Sequence, residues 1–177
     1  ISKTFRIVIP EGEKTTAVVS ANAVYVTGGA IPDVTVTDKY GTKLVEKKDY
    51  IVTLKDNKKT GTASYKITGK GNYAKTEIIN GEGTFNVIAA SIDRCQVVVA
   101  DKVVSTKAGA YKSVPVIYDI NGKKLTAGKD YSKEFEYYYT GSELGEEPKE
   151  NDTVVVKIKG IGNFEGSTVT GCYKTYA

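Results

Sequence analysis

The strongest constraint on this chain is an internal repeat. DKYGTKLVEKKDY at Asp38 to Tyr50 matches DINGKKLTAGKDY at Asp119 to Tyr131 with a shift of 81. YKITGKGNY at Tyr65 to Tyr73 matches VKIKGIGNF at Val156 to Phe164 with a shift of 91, so the second copy gains ten residues between the two blocks. At the start, ISKTFRIVI from Ile1 resembles IDRCQVVVA from Ile92, again shifted by 91, which gives the first copy about ten extra residues before Asp38. A unit repeated at this spacing folds twice, which predicts two domains, 1–90 and 91–177, the second with a hairpin insertion of about ten residues near 137–151. The chain passes from GTFNVIAA into SIDRCQVVV without a Pro-rich or Ser-rich linker, so a stiff tandem pair is expected.

Each copy has the two-residue period of strands. Phe5, Ile7 and Ile9 alternate until Pro10-Glu11-Gly12, and Val34 and Val36 alternate before the Tyr40-Gly41 turn. Val116, Tyr118, Phe135, Tyr137, Val154, Val156 and Ile158 continue the pattern in the second copy. The apolar residues are mostly Val, Ile and Tyr among many Thr and Gly, which suits pleated surfaces rather than helices. An all-β fold follows, with enough short strands per copy for a two-sheet sandwich. The repeated Asp49-Tyr50 and Asp130-Tyr131 read as strand-opening tyrosines with buried rings. Gly71-Asn72-Tyr73 and Gly162-Asn163-Phe164 read as positive-φ turns that each lead into a core anchor.

Composition narrows function. The chain has no His, Trp or Met, and without His it lacks the usual general base and the commonest metal ligand. No catalytic residue, metal site or cofactor is expected. The net charge of +4 is mild and its lysines alternate with acids, which describes solvated strand faces rather than a nucleic-acid footprint. No apolar run reaches the roughly 18 residues that span a bilayer, so no membrane insertion by this segment is expected. A chain that opens directly in strand-like sequence reads as a piece of a longer polypeptide, with any signal peptide or anchor outside it.

Cys95 and Cys172 align with Thr4 and Thr84 of the first copy, so two positions change together. Such covariation predicts a disulfide between the terminal strands of the second copy, worth roughly 4 kcal/mol, and an oxidising compartment; the alternative is two unrelated buried thiols.

The module V-x-V-x-D-x-x-G-x-x-L-x-x-G-x-D-Y, then G-T-A-x-Y-x-I-x-G-x-G-N-Y, then a closing T-F-x-V strand, resembles the Ig-like repeats of large surface and secreted proteins of Gram-positive gut Firmicutes. The first copy carries it at Val34, Val36, Asp38, Gly41, Leu44, Asp49, Tyr50, Gly61, Thr62, Ala63, Ile67, Gly69, Gly71, Asn72 and Tyr73, with Lys47 where the pattern has Gly. The second keeps Asp119, Gly122, Leu125, Gly128, Asp130 and Tyr131 but has Asp152-Thr153-Val154 at the Gly-Thr-Ala step. The resemblance implies two tandem immunoglobulin-like β-sandwich domains, an extracellular location at the cell surface or secreted, and a spacer or adhesion role beside neighbouring domains of the same polypeptide. It implies no ligand.

A site is best sought where the copies differ. EFEYYYTGSELGEEPKEND, Glu134 to Asp152, sets three tyrosines beside an acidic loop with Glu143, Glu146, Glu147 and Glu150. In a strand Tyr137 and Tyr139 share one face and Tyr138 takes the other, so at least one ring is exposed. Tyr137, Tyr138, Tyr139 and Glu143 are the candidate binding residues for a polysaccharide or a host surface protein; the alternative is that the rings pack in the sandwich. The loop lacks the spacing of a calcium-binding EF-hand, and Asn86 is the one inviting residue for an intramolecular isopeptide bond, with no Lys or acid partner evident. The leading expectation is a non-catalytic spacer or adhesion module, with binding through the tyrosine-rich insertion as the alternative.

Overall fold

The computed structural model describes residues 13–104, 109–140 and 147–176. The chain forms two compact units, Ile1–Ile88 and Ala89–Ala177. Both are built from strands and single 3-10 turns, with no α-helix among the described residues.

The first unit contains β1 (Lys14–Val19), β2 (Asn22–Val24), β3 (Val34–Thr37), β4 (Tyr50–Lys55), β5 (Gly61–Gly69), β6 (Glu77–Ile79) and β7 (Glu82–Ile88). One sheet runs β3-β1-β6 and the other β2-β7-β5-β4. Ala17 on β1 and Val36 on β3 meet Tyr50 on β4 and Ile67 on β5 in one buried cluster, so the sheets pack face to face, consistent with a β-sandwich. A second cluster joins Ala23, Ala30, Ala63, Phe85 and Val87.

The second unit contains β8 (Gln96–Val98), β9 (Lys102–Val103), β10 (Val116–Tyr118), β11 (Glu136–Thr140), β12 (Thr153–Lys159) and β13 (Thr168–Tyr176). Its sheets run β10-β8 and β11-β12-β13-β9. Ile92, Ile117, Val154, Val156 and Ile158 are fully buried, and Tyr111, Val154 and Tyr173 form a core cluster.

The repeated motif residues hold turns and core. Asp38 Oδ1 accepts the N–H groups of Tyr40 and Thr42 at 2.9 Å each, and Asp119 Oδ1 accepts those of Asn121 and Lys123 at 2.9 and 2.8 Å. Asp49 Oδ2 caps the Val45 N–H at 2.9 Å, and Asp130 Oδ2 caps the Thr126 N–H at 2.8 Å. These carboxylates replace backbone partners that a turn cannot supply. Tyr50 and Tyr131 are buried beside them. Gly71 and Gly162 open the paired 3-10 turns at φ 59° and 58°, a conformation that favours glycine.

Register corrects the alignment of the first strands. Ala17 pairs with Val36 and Val97 with Ile117, which sets β1 against β8 at a shift of 80, one residue from the shift of 81 that relates β3 to β10. The first unit therefore has no ten-residue insertion before Asp38. The sequence misled because β1 buries only Thr15 and Ala17, small residues whose alternation is weak. Thr4, the alternation at Phe5, Ile7 and Ile9, and the turn at Pro10 to Gly12 lie outside the described residues. In sequence, Thr4 to Val8 (TFRIV) matches Thr84 to Ile88 (TFNVI) at that same shift of 80.

Candidate functional site

The tyrosine-rich strand of the second unit is held by β12, with Tyr137 opposite Val156, Tyr138 opposite Val155 and Tyr139 opposite Val154. Val154 and Val156 are fully buried, so their face is the inner one, and strand alternation brings Tyr137 and Tyr139 to it. Tyr138 stands on the outer face, 51% exposed. Part of the insertion is used before this strand begins. Tyr131 faces Gly160, yet Glu136 faces Lys157, where an unbroken ladder would bring it to Val155; a bulge between Tyr131 and Glu136 takes up the difference.

On the inner face the rings form a cluster around Tyr111. Tyr137 and Tyr139 meet it edge to face, with centroids 6.1 and 5.8 Å away, and Phe135 links Tyr137 to Tyr131 at 6.5 and 6.3 Å. The Tyr173 hydroxyl donates to the Tyr111 carbonyl at 2.6 Å and accepts from the Ser113 N–H at 3.3 Å. The Tyr137 hydroxyl donates to the Ser113 carbonyl at 3.0 Å. Two phenols thus hold the 111–113 segment to the sheet, giving buried polar groups the partners they require. Burial pushes the Tyr173 phenol up to about 12, and it also raises those of Tyr111 and Tyr137. Lys112 Nζ lies 5.9 and 5.8 Å from the ring centres of Tyr111 and Tyr137, within cation–π range.

The outer face is simpler. The Tyr138 hydroxyl donates to Glu136 Oε2, which lies 3.3 Å from Lys157 Nζ. The hydrogen bond from Tyr138, then Lys157, lowers the Glu136 carboxyl, and the same bond raises the Tyr138 phenol. This surface offers one ring face, one carboxylate and one ammonium. Such a set can stack on one sugar ring or on an aliphatic side chain and hydrogen-bond its rim; it does not provide two coplanar rings.

The other sequence candidates fall elsewhere. Glu143 and Glu146 lie outside the described residues. Glu147 accepts the Gly109 N–H at 3.1 Å. The expected disulfide is absent, and Cys95 and Cys172 are free thiols. Parity explains this. Gly171 faces Val97 and Val99, and Tyr173 is buried, so Cys172 between them points outward, in one row with Val155 and Tyr138. Cys95 is half-buried at the end of the Ile92–Arg94 turn, where burial, then Asp119 and Asp93, raises its thiol. The covariation argument also fails on its first position, because the register sets Cys95 at the place of Thr15 rather than Thr4. Among the described residues no group of three or more His, Cys, Asp or Glu could hold a metal, and no helix is long and apolar enough to cross a membrane. Asn86 is exposed on β7 rather than buried beside a lysine.

Sequence reasoning missed Tyr111, Ser113 and Tyr173. One signal was present for Tyr173. GCYKT aligned on GTFNV puts it where the first copy has Phe85, and a hydroxyl added at a core position requires a partner. Nothing in the sequence marks Tyr111. Compared with known proteins, the chain matches no protein-family model, no curated protein and no solved structure.

Proposed function

We propose that the chain is a pair of tandem immunoglobulin-like units acting as a non-catalytic spacer or adhesion segment of a bacterial surface or secreted protein. The observation that carries this reading is where the tyrosines go. Tyr137 and Tyr139, two of the three residues best suited to grip a ligand, pack against Tyr111 and tie down the 111–113 segment. The remaining repeated residues serve turns and core, the chemistry of a module whose work is its shape. In this role each unit transmits length and orientation to the parts of the polypeptide on either side.

A second reading draws on Tyr138, Glu136 and Lys157, which form an exposed aromatic and charged patch. That patch would bind a polysaccharide or a host surface protein through a single stacking ring. The test is binding of the intact chain to plant and mucin polysaccharides, beside a Tyr138→Ala variant. Tyr138 is exposed, so the change leaves the core intact. The spacer reading expects no binding by either protein. Binding by the parent that is lost in the folded variant would replace it with the second reading.

A further inference from the structure

The outward row of β10 differs in kind between the two units. From Tyr111 to Ile120 burial alternates without a break: Tyr111, Ser113, Pro115, Ile117 and Asp119 are buried, and Val114, Val116, Tyr118 and Ile120 face out between them. The outward row spans about 20 Å, and Val114 and Ile120 at its ends are 70% and 67% exposed. On the neighbouring strand β8, Val98 pairs with Val116 and is also exposed. In the first unit the shift of 81 puts Asp33, Thr35, Thr37 and Lys39 at the same four positions. All four change from polar to apolar on this face alone, while the inward position holds Val36 in one unit and Ile117 in the other. Val18 of β1, the counterpart of Val98, stands beside Thr35 instead.

A contiguous exposed apolar row marks an interaction surface, whereas single exposed aliphatic residues do not. The edge of β10 is already in use. The Leu125 N–H donates to the Ile117 carbonyl at 2.8 Å, and the Asp119 N–H donates to the Lys123 carbonyl at 2.9 Å, so the segment after the turn lies along it. What stands open is the face of the strand, and a face is covered by another face rather than by an added strand.

We propose that this face of the second unit is the interface between two copies of the chain, packed face to face about a two-fold axis near Ile117. The row is self-complementary under that operation. Val114 of one protomer meets Ile120 of its partner and Val116 meets Tyr118, so every apolar side chain of the row meets another. Charge also selects a second copy. Residues 91–177 carry 12 basic and 12 acidic side chains, so two second units approach without net repulsion, whereas residues 1–90 carry four more basic than acidic ones. Lys124, bridged to Tyr118 at the rim of the face, is exposed and keeps its ammonium in water while its stem extends the apolar surface. The pairing stands apart from the spacer reading, since a spacer and a binder could each be joined this way.

The test is sedimentation equilibrium of the full chain from about 1 μM to about 1 mM. The parent is expected to form a dimer that dissociates on dilution. Val114→Asp combined with Ile120→Lys installs the first unit's own residues at the two most exposed positions, which leaves the core intact. This double variant should raise the dimer dissociation constant by about a hundredfold or more. Val18→Asp, an equally exposed change on the first unit, should leave it unmoved. Circular dichroism checks the fold; if the double variant fails that check, Ile120→Lys alone, in the turn after β10, carries the comparison with an expected rise of about tenfold. A parent that stays monomeric throughout the range overturns the second copy as occupant and leaves the face to a different protein. A dimer that survives the folded variants, or that Val18→Asp weakens as much, overturns the assigned face.

Discussion

The two units carry the same turns yet differ at the strand that closes them. In the second unit β13 runs unbroken from Thr168 to Tyr176 and pairs along β12, with Val169 opposite Ile158. In the first unit the same stretch is divided. β6 pairs in parallel with β1 in one sheet, the chain turns at Asn80 with φ 57°, and β7 continues in the other sheet with Gly81 opposite Ile67. The cause is length. Tyr73 and Gly83 are ten positions apart, whereas their counterparts Phe164 and Gly171 are seven apart, and the three extra residues must leave the ladder. Ile78 then covers Gly81, doing for Ile67 what Val169 does for Ile158. A short change in spacing thus decides whether a strand serves one sheet or two, while the buried contact survives.

The closing strands also differ in what they bury. Phe85 and Tyr173 occupy matching positions and are 2% and 4% exposed. Replacing either with Ala is expected to remove about 3–5 kcal/mol from its own unit, through lost transfer energy and the cavity left behind. Hydrogen exchange resolved by residue would show protection falling in the mutated unit alone. A fall in both units would show that their stabilities are not separable.

Exchanging the hydroxyl between these positions sharpens the comparison. Tyr173→Phe should cost unit two about 1–3 kcal/mol, because the Ser113 N–H and Tyr111 carbonyl lose their phenol partner, and Phe85→Tyr should also destabilise because it sets a hydroxyl in the apolar cluster of Ala23, Ala30, Ala63 and Val87. The pH dependence has a definite sign. Burial holds the Tyr173 phenol near 12, above its usual value of 10, so the neutral form is favoured in the folded state. Its contribution is intact below pH 10 and is lost as pH rises through about 12. Burial raises Tyr111, Tyr131 and Tyr137 in the second unit as well, and in the first unit it raises Tyr50 and Tyr73. An alkaline titration followed by circular dichroism and exchange should therefore unfold the second unit first, and Tyr173→Phe, which lacks that contribution at every pH, should lose less further stability as pH rises from 10 to about 12. Simultaneous loss of both units would break this contrast.

What could be read from sequence follows the same physics. Strong signals were those in which one residue type has one structural use: the Asp turns, the glycine at positive φ, the buried Tyr50 and Tyr131, and the opposite faces of Tyr137 and Tyr138. β1 was displaced by the bolder alternation of Phe5, Ile7 and Ile9, because Thr15 and Ala17 fill the core without looking apolar. The disulfide was inferred from two changes in composition, but adjacency also needs facing side chains, and Cys172 points outward. Tyr111 was invisible because its role depends on Tyr173, 62 residues away, and long-range contacts leave no local pattern.

The smallest expected difference lies in the repeated turn before Tyr50 and Tyr131. Gly128 adopts φ 81° and its counterpart Lys47 adopts φ 68°, so the same left-handed position is filled once by the residue that suits it and once by a residue with a Cβ. The cost of that Cβ is roughly 1–2 kcal/mol in general. Part of it is recovered locally, since Lys47 N–H donates to the Tyr50 carbonyl at 2.7 Å and Lys70 Nζ donates to the Lys47 carbonyl at 2.9 Å. Both bonds are anchored on Lys47 backbone atoms and survive its replacement by glycine. Lys47→Gly should therefore stabilise the first unit by up to about 1 kcal/mol, reduced by the greater freedom glycine gives the unfolded chain. Gly128→Ala should destabilise the second by a similar amount, read as opposite shifts in the denaturant midpoints of the two units. If Lys47→Gly instead lowers the first unit's midpoint, the lysine stem is contributing packing that outweighs its backbone strain, and the two turns are alike in sequence but not in energetics.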